Sequence, residues 1–100
     1  MKIYISGPMT GIPDLNRPAF NAKAAELRAL GNEVVNPAEL PEIPGWEWAD
    51  YLKRDIPLLL GCEAIYLLEG WEDSKGAELE CGIAESLGFE VFGPPWGALL

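Results

Sequence analysis

The sequence has no histidine and only two cysteines, Cys62 and Cys81, whose separation does not match the spacing of a metal site. Histidine-based catalysis and a zinc site are therefore excluded, and we expect both thiols to be small residues of the core. Any acid–base chemistry has to come from carboxylates, tyrosine, lysine or cysteine. We expect no metal and no other cofactor.

Basic residues are also scarce. The chain has 7 Lys and Arg against 16 Asp and Glu, which gives a net charge of −9. Polynucleotide phosphates are held mainly by clustered Lys and Arg, so this balance argues against a nucleic-acid partner. A small anionic ligand is still compatible, because a helix N-terminus with one or two basic residues can bind it.

Long apolar segments are missing as well. No run approaches the roughly 20 residues of a membrane span, and the apolar start of the chain is too short for a signal peptide. We therefore expect a cytoplasmic protein that does not bind a membrane. The 100 residues, 49% of them hydrophobic, predict one domain over residues 1–100.

Short apolar segments alternate along the chain with helical patterns. The predicted strands cover residues 3–6, 33–35, 64–68 and 89–92, and the predicted helices run from about residue 17 to 30, 46 to 60 and 76 to 88. This order predicts an α/β domain with a parallel sheet and right-handed crossovers. Ligands of such folds bind beyond the carboxyl ends of the strands, where the loops 7–14, 36–37 and 69–76 meet.

Two local details of the helices can be predicted. Asn16 is placed to cap the first helix, which tolerates Pro18 in its first turn. Pro57 should kink or split the second helix, because proline removes a backbone donor and disfavours a helical residue before it. Residues 37–45 and the tail from Gly93 onward are rich in proline and glycine, so we expect both to be irregular.

The third helix contains an acid on its apolar face. At 100° per residue its apolar side chains form one arc, and Glu80 falls at the centre of that arc; the arc consists of Ala77, Leu79, Cys81, Ile83, Ala84 and Leu87. A carboxylate there is costly to desolvate unless its charge is used or compensated. Its position in the first turn puts it at the mouth of the fold. Glu80 is therefore the leading candidate for the reacting group.

Asp55 is the second misplaced acid, since it falls within the apolar arc of the second helix beside Trp48 and Leu59. Each acid is either a functional group with a pKa shifted by burial, or a structural carboxylate that caps a loop or pairs with a buried Lys or Arg. No basic residue falls on either apolar arc, which weighs against the structural alternative.

The loop Gly7, Pro8 and Met9 follows the first predicted strand. It lacks the G-x-G-x-x-G pattern of a dinucleotide site, so it is either a ligand loop or a plain connection between strand and helix.

A second loop, from Trp71 to the start of the third helix, reaches the same edge. Ser74 or Asp73 is either the N-cap of that helix or a ligand for a hydroxyl. Free amides near Gly76, together with Lys75, would favour a phosphate there, whereas Asp73 would disfavour it. Trp71 is the tryptophan that we expect to contact a ligand.

Three segments together resemble a known superfamily: I-Y-I-S-G-P-M at 3–9, Arg54-Asp55 followed by L-L-L-G-C-E-A at 58–64, and G-A-x-x-E-x-G-x-A at 76–84. They are similar to the nucleoside 2-deoxyribosyltransferase-like superfamily, above all to its small DUF4406 branch, common in phage and bacterial genomes. The resemblance spans nearly the whole chain. It implies a three-layer, flavodoxin- or Rossmann-like domain with a parallel sheet of four to five strands.

The resemblance also implies site roles. Glu80 would attack C1′ of a deoxyribose and displace the base, and water or a second base would resolve the covalent intermediate. Asp55 would bind or protonate the leaving base, and Tyr4 would orient Glu80 by a hydrogen bond. The loop from Gly7 would border the sugar and base, and Ser74 would face the 5′ end.

The chain also departs from the superfamily. It is shorter than the transferases, and its tail after Gly93 does not match the segment that reaches a neighbouring active site. The position of Ser74 holds an acid in transferases and a hydroxyl residue in nucleotide hydrolases, which favours a 5′-phosphorylated substrate. A homodimer or larger homo-oligomer is implied.

The sequence thus predicts cleavage or transfer of the N-glycosidic bond of a 2′-deoxynucleoside or its 5′-monophosphate. Hydrolysis is favoured over base exchange, because so small a domain has little surface to keep water from the intermediate. Two alternatives stay open: a non-catalytic nucleotide-binding or sensing module, and an interaction protein that uses the acidic surface and the tryptophans at 46 and 48.

Overall fold

A computed structural model of the chain describes residues 1–93, which form four strands and three helices. In chain order these are β1 (Lys2–Ser6), α1 (Arg17–Ala29), β2 (Glu33–Val35), α2 (Trp48–Leu60), β3 (Ala64–Leu67), α3 (Lys75–Ser86) and β4 (Glu90–Phe92). Short 3-10 turns lie at Pro13–Asn16, Pro37–Glu39 and Trp71–Asp73. The predicted tail after Gly93 lies outside the described residues. Within residues 1–93, no helix combines the length and apolarity needed to cross a membrane.

The four strands form one parallel sheet in the order β2-β1-β3-β4. Ile3 of β1 lies opposite Val34 on one side and Ala64 on the other, so β1 and β3 occupy the centre. All of β3 is buried, as is most of β1, which explains why both strands read as nearly continuous apolar runs. The predicted α/β fold with a parallel sheet is confirmed.

Helices cover both faces of the sheet, which makes three layers. Successive strand residues point to opposite faces, so Ile3 and Ile5 of β1 pack with α1, whereas Tyr4 packs on the side of α2 and α3. The α1 face also contains Phe20, Ala24 and Leu27, and the opposite face contains Leu59, Ile65, Cys81 and Ala84. This alternation decides which residues of β1 can reach the third helix.

The predicted cap of α1 is wrong. Asn16 adopts a left-handed conformation with φ 60°, and its side-chain amide donates to the Pro8 carbonyl at 2.9 Å instead of capping the helix. Asp14 and Leu15 are left-handed too, with φ 55° and 51°. Each such non-glycine residue costs about 1–2 kcal/mol, so the contacts of the loop have to offset this cost.

Pro57 does not split α2, which is continuous from Trp48 to Leu60. Its side chain is exposed, so the ring points away from the packed face of the helix. The helix begins two residues later than the sequence pattern predicts, because the Asp50 carboxylate accepts a hydrogen bond from the Glu47 backbone N–H at 3.0 Å and fixes the first turn there.

The apolar arc of α3 is narrower than its helical pattern predicts. Leu79 and Leu87 are 43% and 57% exposed, whereas Ala77, Cys81 and Ala84 are buried. The helix lies on the sheet through its small residues, which keeps it close to β1 and β3. Such a close approach brings the Glu80 side chain within reach of the strand. Glu80 lies in the second turn of α3, so its predicted place in the first turn is wrong.

Candidate active site

Glu80 is buried between α3 and β1, with 6% of the residue exposed. The Tyr4 hydroxyl donates to its Oε2 and the Ser6 hydroxyl donates to its Oε1, both at 2.6 Å. Tyr4 and Ser6 are two residues apart on one strand and therefore share the face that meets α3. Distances this short are typical of hydrogen bonds to an ionised carboxylate.

The environment of Glu80 brings its pKa to about 7. Burial raises this pKa most, the hydrogen bonds from Ser6 and Tyr4 lower it, and the charge of Asp55 raises it. Burial also raises the pKa of Tyr4 well above its ordinary value, with the Glu80 charge acting in the same direction. Tyr4 therefore keeps its proton as a donor at neutral pH, while Glu80 gains and loses its proton near neutrality.

Asp55 is held by its neighbour. The Arg54 Nε donates to Asp55 Oδ1 at 2.9 Å, and the Asp55 side chain is 13% exposed. Burial raises the pKa of Asp55, and the hydrogen bond and charge of Arg54 only partly offset that rise. No basic residue falls on the apolar arc of α2, but the long Arg54 side chain reaches Asp55 from the polar face. The argument against a structural ion pair therefore does not hold for Asp55.

Arg54 also connects α2 to the irregular segment before it. Its Nη1 donates to the Pro41 carbonyl at 2.7 Å, and its guanidinium lies over the rings of Trp46 and Tyr51 at 5.5 and 5.2 Å. The Tyr51 hydroxyl lies within hydrogen-bond distance of the backbone N–H and carbonyl of Ile43, at 3.1 and 3.3 Å. These contacts fix one wall beside Asp55.

A cavity of about 810 Å³ opens beyond the carboxyl ends of the strands. Its size falls in the range of small-molecule sites, about 300–1,000 Å³. Most of the site residues predicted from the sequence line it; these are Tyr4, Gly7, Pro8, Met9, Asp55, Asp73, Ser74, Gly76 and Glu80. The fold therefore brings both acids and both predicted loops to one space.

Trp71 is the predicted site residue that the fold does not bring to the cavity. It belongs to the short turn Trp71–Asp73, and its ring packs against the apolar cluster around Cys81 and Ala84. The next residues of the chain then turn towards the cavity. Burial of the large apolar ring outweighs its position in a loop at the edge of the site.

Ser74 is the N-cap of α3, since its Oγ accepts a hydrogen bond from the Ala77 N–H at 3.2 Å. Lys75 follows it, and its ammonium lies 4.2 Å from the centre of the Trp48 ring. Both residues line the cavity. The start of α3 thus offers a hydroxyl, a cation and backbone amides to a ligand.

Gly7 is required by a close contact between the first loop and β3. A Cβ atom at this position would lie 2.8 Å from Leu68 Cβ, closer than side chains approach each other. The backbone is held there because the Leu68 N–H donates to the Ser6 carbonyl at 2.8 Å. A side chain at position 7 would therefore displace the loop that borders Glu80.

The two thiols are buried, as the sequence predicts, and do not line the cavity. Burial raises the pKa of Cys81 to about 12 and raises that of Cys62 as well. Neither is a thiolate nucleophile at neutral pH. Within residues 1–93, no three His, Cys, Asp or Glu side chains are grouped so that they could bind a metal ion.

Sequence reasoning missed Ser6. Ser6 was considered only as part of the first strand and of the segment 3–9. The alternation of side chains along a strand could have identified it, because Ser6 lies two positions after Tyr4 and so faces the same side of the sheet. Arg17 was missed as a residue lining the cavity; it pairs with Glu42 at 2.6 Å and with Asp14 at 3.3 Å.

Comparison with known proteins identifies the family. The family model described as domain of unknown function DUF4406 matches residues 1–93. The chain belongs to the DUF4406 family. Among curated protein sequences, none matches this DUF4406 chain.

A solved structure is similar to the DUF4406 chain over most of its length. It is the 2-deoxyribosyltransferase of the psychrotolerant bacterium Bacillus psychrosaccharolyticus, a biocatalyst for the synthesis of antiviral and antitumoral nucleosides. The TM-score is 0.72 at 25% identity, over 94% of this chain and 73% of that one. Together these matches confirm the predicted membership of the nucleoside 2-deoxyribosyltransferase-like superfamily.

Proposed function

We propose that the protein cleaves the N-glycosidic bond of a 2′-deoxynucleoside or its 5′-monophosphate, with Glu80 as the nucleophile. The observation that carries this proposal is the Glu80 carboxylate itself, buried at the cavity and held by hydroxyl donors at 2.6 Å on both oxygens. A buried acid with a pKa of about 7 is poised to act as a nucleophile near neutrality. Similarity to a 2-deoxyribosyltransferase supports the class of substrate.

The proposed reaction has two displacements. A Glu80 oxygen forms a bond to C1′ as the bond from C1′ to the base nitrogen breaks, and the electron pair of that bond leaves with the base. The base takes a proton from Asp55, which regains one from solvent. Water then attacks C1′ of the glycosyl ester, the carboxylate leaves, and the proton of the water passes to solvent. Two inversions give a product with the configuration of the substrate.

Asp55 assists the departure of the base in this proposal. Its pKa is raised by burial, which favours the protonated form that can donate a hydrogen bond to the base nitrogen. Arg54 limits that rise and fixes the carboxyl by the 2.9 Å hydrogen bond. Asp55 is thus oriented beside the cavity, and its raised pKa makes it a readier proton donor to the leaving base than an exposed aspartate.

Hydrolysis is proposed over base exchange. Trp46 and Trp48, which line the cavity, are 37% and 44% exposed, so the described part of the protein leaves water access to the intermediate. A 5′-phosphate is proposed as part of the substrate, because Ser74, Lys75 and the first amides of α3 could bind it. Asp73 opposes it, so this preference is expected to be moderate.

A homodimer or larger assembly and a cytoplasmic location complete the proposal. Both rest on the similarity to the transferase superfamily. Sedimentation velocity of the purified protein tests the assembly, and a monomer at micromolar concentration would contradict it.

The test is release of free base from a panel of 2′-deoxynucleosides and their 5′-monophosphates, followed by chromatography. Glu80→Gln removes the nucleophile, and Glu78→Gln, an exposed position on the same helix, is the matched control. We expect release by the unaltered protein and by Glu78→Gln, and none by Glu80→Gln. No release from any member of the panel, even with a second base as acceptor, would contradict the proposal. Thermal stabilisation by a nucleotide would then favour the non-catalytic binding module.

A further inference from the structure

Ser6 is a buried polar residue at the end of the central strand β1. It is 1% exposed, and its hydroxyl lies 2.6 Å from Glu80 Oε1. The other buried side chains of this strand belong to Ile3, Tyr4 and Ile5. A hydroxyl group in such a place is costly unless it is hydrogen-bonded, and the partner of Ser6 is the carboxylate.

We propose that Ser6 is a positioning residue that, together with Tyr4, fixes the orientation of the Glu80 carboxylate for attack on the sugar. The terminal torsion of a glutamate is broad, so a single donor on one oxygen leaves the carboxylate free to rotate. A donor on each oxygen restricts that rotation. The inference rests on the proposed function, because orientation matters only if Glu80 attacks a substrate.

Both donors come from one rigid element. Tyr4 and Ser6 lie on β1, which has strand partners on both sides, so the backbone positions from which their side chains extend are fixed relative to each other. Each carboxylate oxygen has a second lone pair beyond the one that accepts its hydrogen bond. Glu80 therefore keeps a lone pair for C1′ while both oxygens are held.

The same hydroxyls stabilise the negative charge of Glu80. The titratable groups that face it are Tyr4 on β1 and Asp55 on α2, and the Asp55 charge opposes ionisation. No cation within residues 1–93 forms a hydrogen bond or an ion pair with Glu80. Removal of the Ser6 hydroxyl should thus favour the protonated, unreactive acid.

The test compares Ser6→Ala with Ser6→Thr, which restores a hydroxyl. The protein is labelled with ¹³C at the glutamate carboxyl carbons, and the Glu80 signal is assigned by its loss in Glu80→Gln. We expect the titration midpoint of Glu80 to rise by about one pH unit or more in Ser6→Ala, a tenfold change in its ionisation constant. In Ser6→Thr it should return towards the value of the unaltered protein.

The kinetic profile supplies a second readout. In Ser6→Ala the acid limb of base release should move to higher pH with the titration, and kcat should fall more than KM rises. Tyr4→Phe, which removes the donor of the other oxygen, should shift the midpoint in the same direction. A purely structural contribution of Ser6 would lower stability and leave the midpoint in place.

The two proposals fail in different ways. If no base is released by the unaltered protein, the proposed function fails, whereas the titration still measures the effect of Ser6 on Glu80. If folded Ser6→Ala has the Glu80 midpoint of the unaltered protein, the positioning inference is wrong even when base is released. Ser6→Cys serves as the test if Ser6→Thr does not fold. Cysteine is similar in size to serine and a weaker donor, so the Glu80 midpoint should lie between those of the unaltered protein and Ser6→Ala.

Discussion

The burial of Glu80 predicts that Glu80→Gln gains stability relative to the unaltered protein as the pH rises. Its pKa lies at about 7 in the folded protein against an ordinary value of 4.5. The folded state therefore binds this proton more tightly than the unfolded state. The protonated Glu80 therefore contributes stability that is fully present below pH 4.5 and is lost as the pH rises through 7.

The size of the effect follows from that difference. A shift from 4.5 to about 7 is about 2.5 pH units. At about 1.36 kcal/mol per unit, the ionised Glu80 lowers the free energy of unfolding by about 3 kcal/mol at pH 8 relative to pH 4. The glutamine of Glu80→Gln does not titrate. The free energy of unfolding of this variant, relative to that of the unaltered protein, should therefore rise by about 3 kcal/mol from pH 4 to pH 8.

Urea unfolding at a series of pH values measures this difference. The hydrogen bonds of Tyr4 and Ser6 change in the variant, but that change is largely independent of pH and shifts the whole curve. Asp55 is present in both proteins, so most of its contribution cancels. Glu78→Gln, exposed on the same helix, should give a flat difference. A flat difference for Glu80→Gln as well would refute the reasoning.

Two further predictions concern the walls of the site. Arg54→Met should raise the pKa of Asp55 further, because the guanidinium lowers that pKa through the 2.9 Å hydrogen bond and its charge. A ¹³C titration of the aspartate carboxyls measures the change. The exposed control Lys53→Met should leave the Asp55 midpoint unchanged, and an unchanged midpoint in Arg54→Met would refute the prediction. Gly7→Ala should lower the free energy of unfolding by about 1–3 kcal/mol, because its Cβ would lie 2.8 Å from Leu68 Cβ. Gly82→Ala is the control, since nothing lies within 4 Å of a Cβ there; equal effects of both changes on the urea midpoint would contradict the prediction.

The fold could be predicted because its signals are local. Strands buried on both faces, such as β3, read as continuous apolar runs between helical patterns, and this alternation determines a parallel sheet. The helical period of α3 predicted the burial of Glu80 correctly, although the same period wrongly predicted burial of Leu79 and Leu87.

What could not be predicted depends on which partner a side chain reaches in the folded protein. The bond between Ser6 and Glu80 requires the position of α3 over β1, which no local pattern contains. The pairing of Arg54 with Asp55 depends on the reach of a long side chain. Asn16 has the chemistry of a cap, but closure of the loop onto the Pro8 carbonyl uses its amide instead. In each case a side-chain contact of the folded protein, which residue type and helical period do not specify, determined the outcome.

The configuration of the product tests the central claim, attack by Glu80 on C1′, most directly. In dilute methanol, part of the intermediate should be trapped as a methyl 2-deoxyriboside, whose configuration proton NMR determines. Two displacements through Glu80 predict the configuration of the starting nucleoside. The opposite configuration would mean a single displacement by the solvent molecule, and would contradict a covalent intermediate on Glu80.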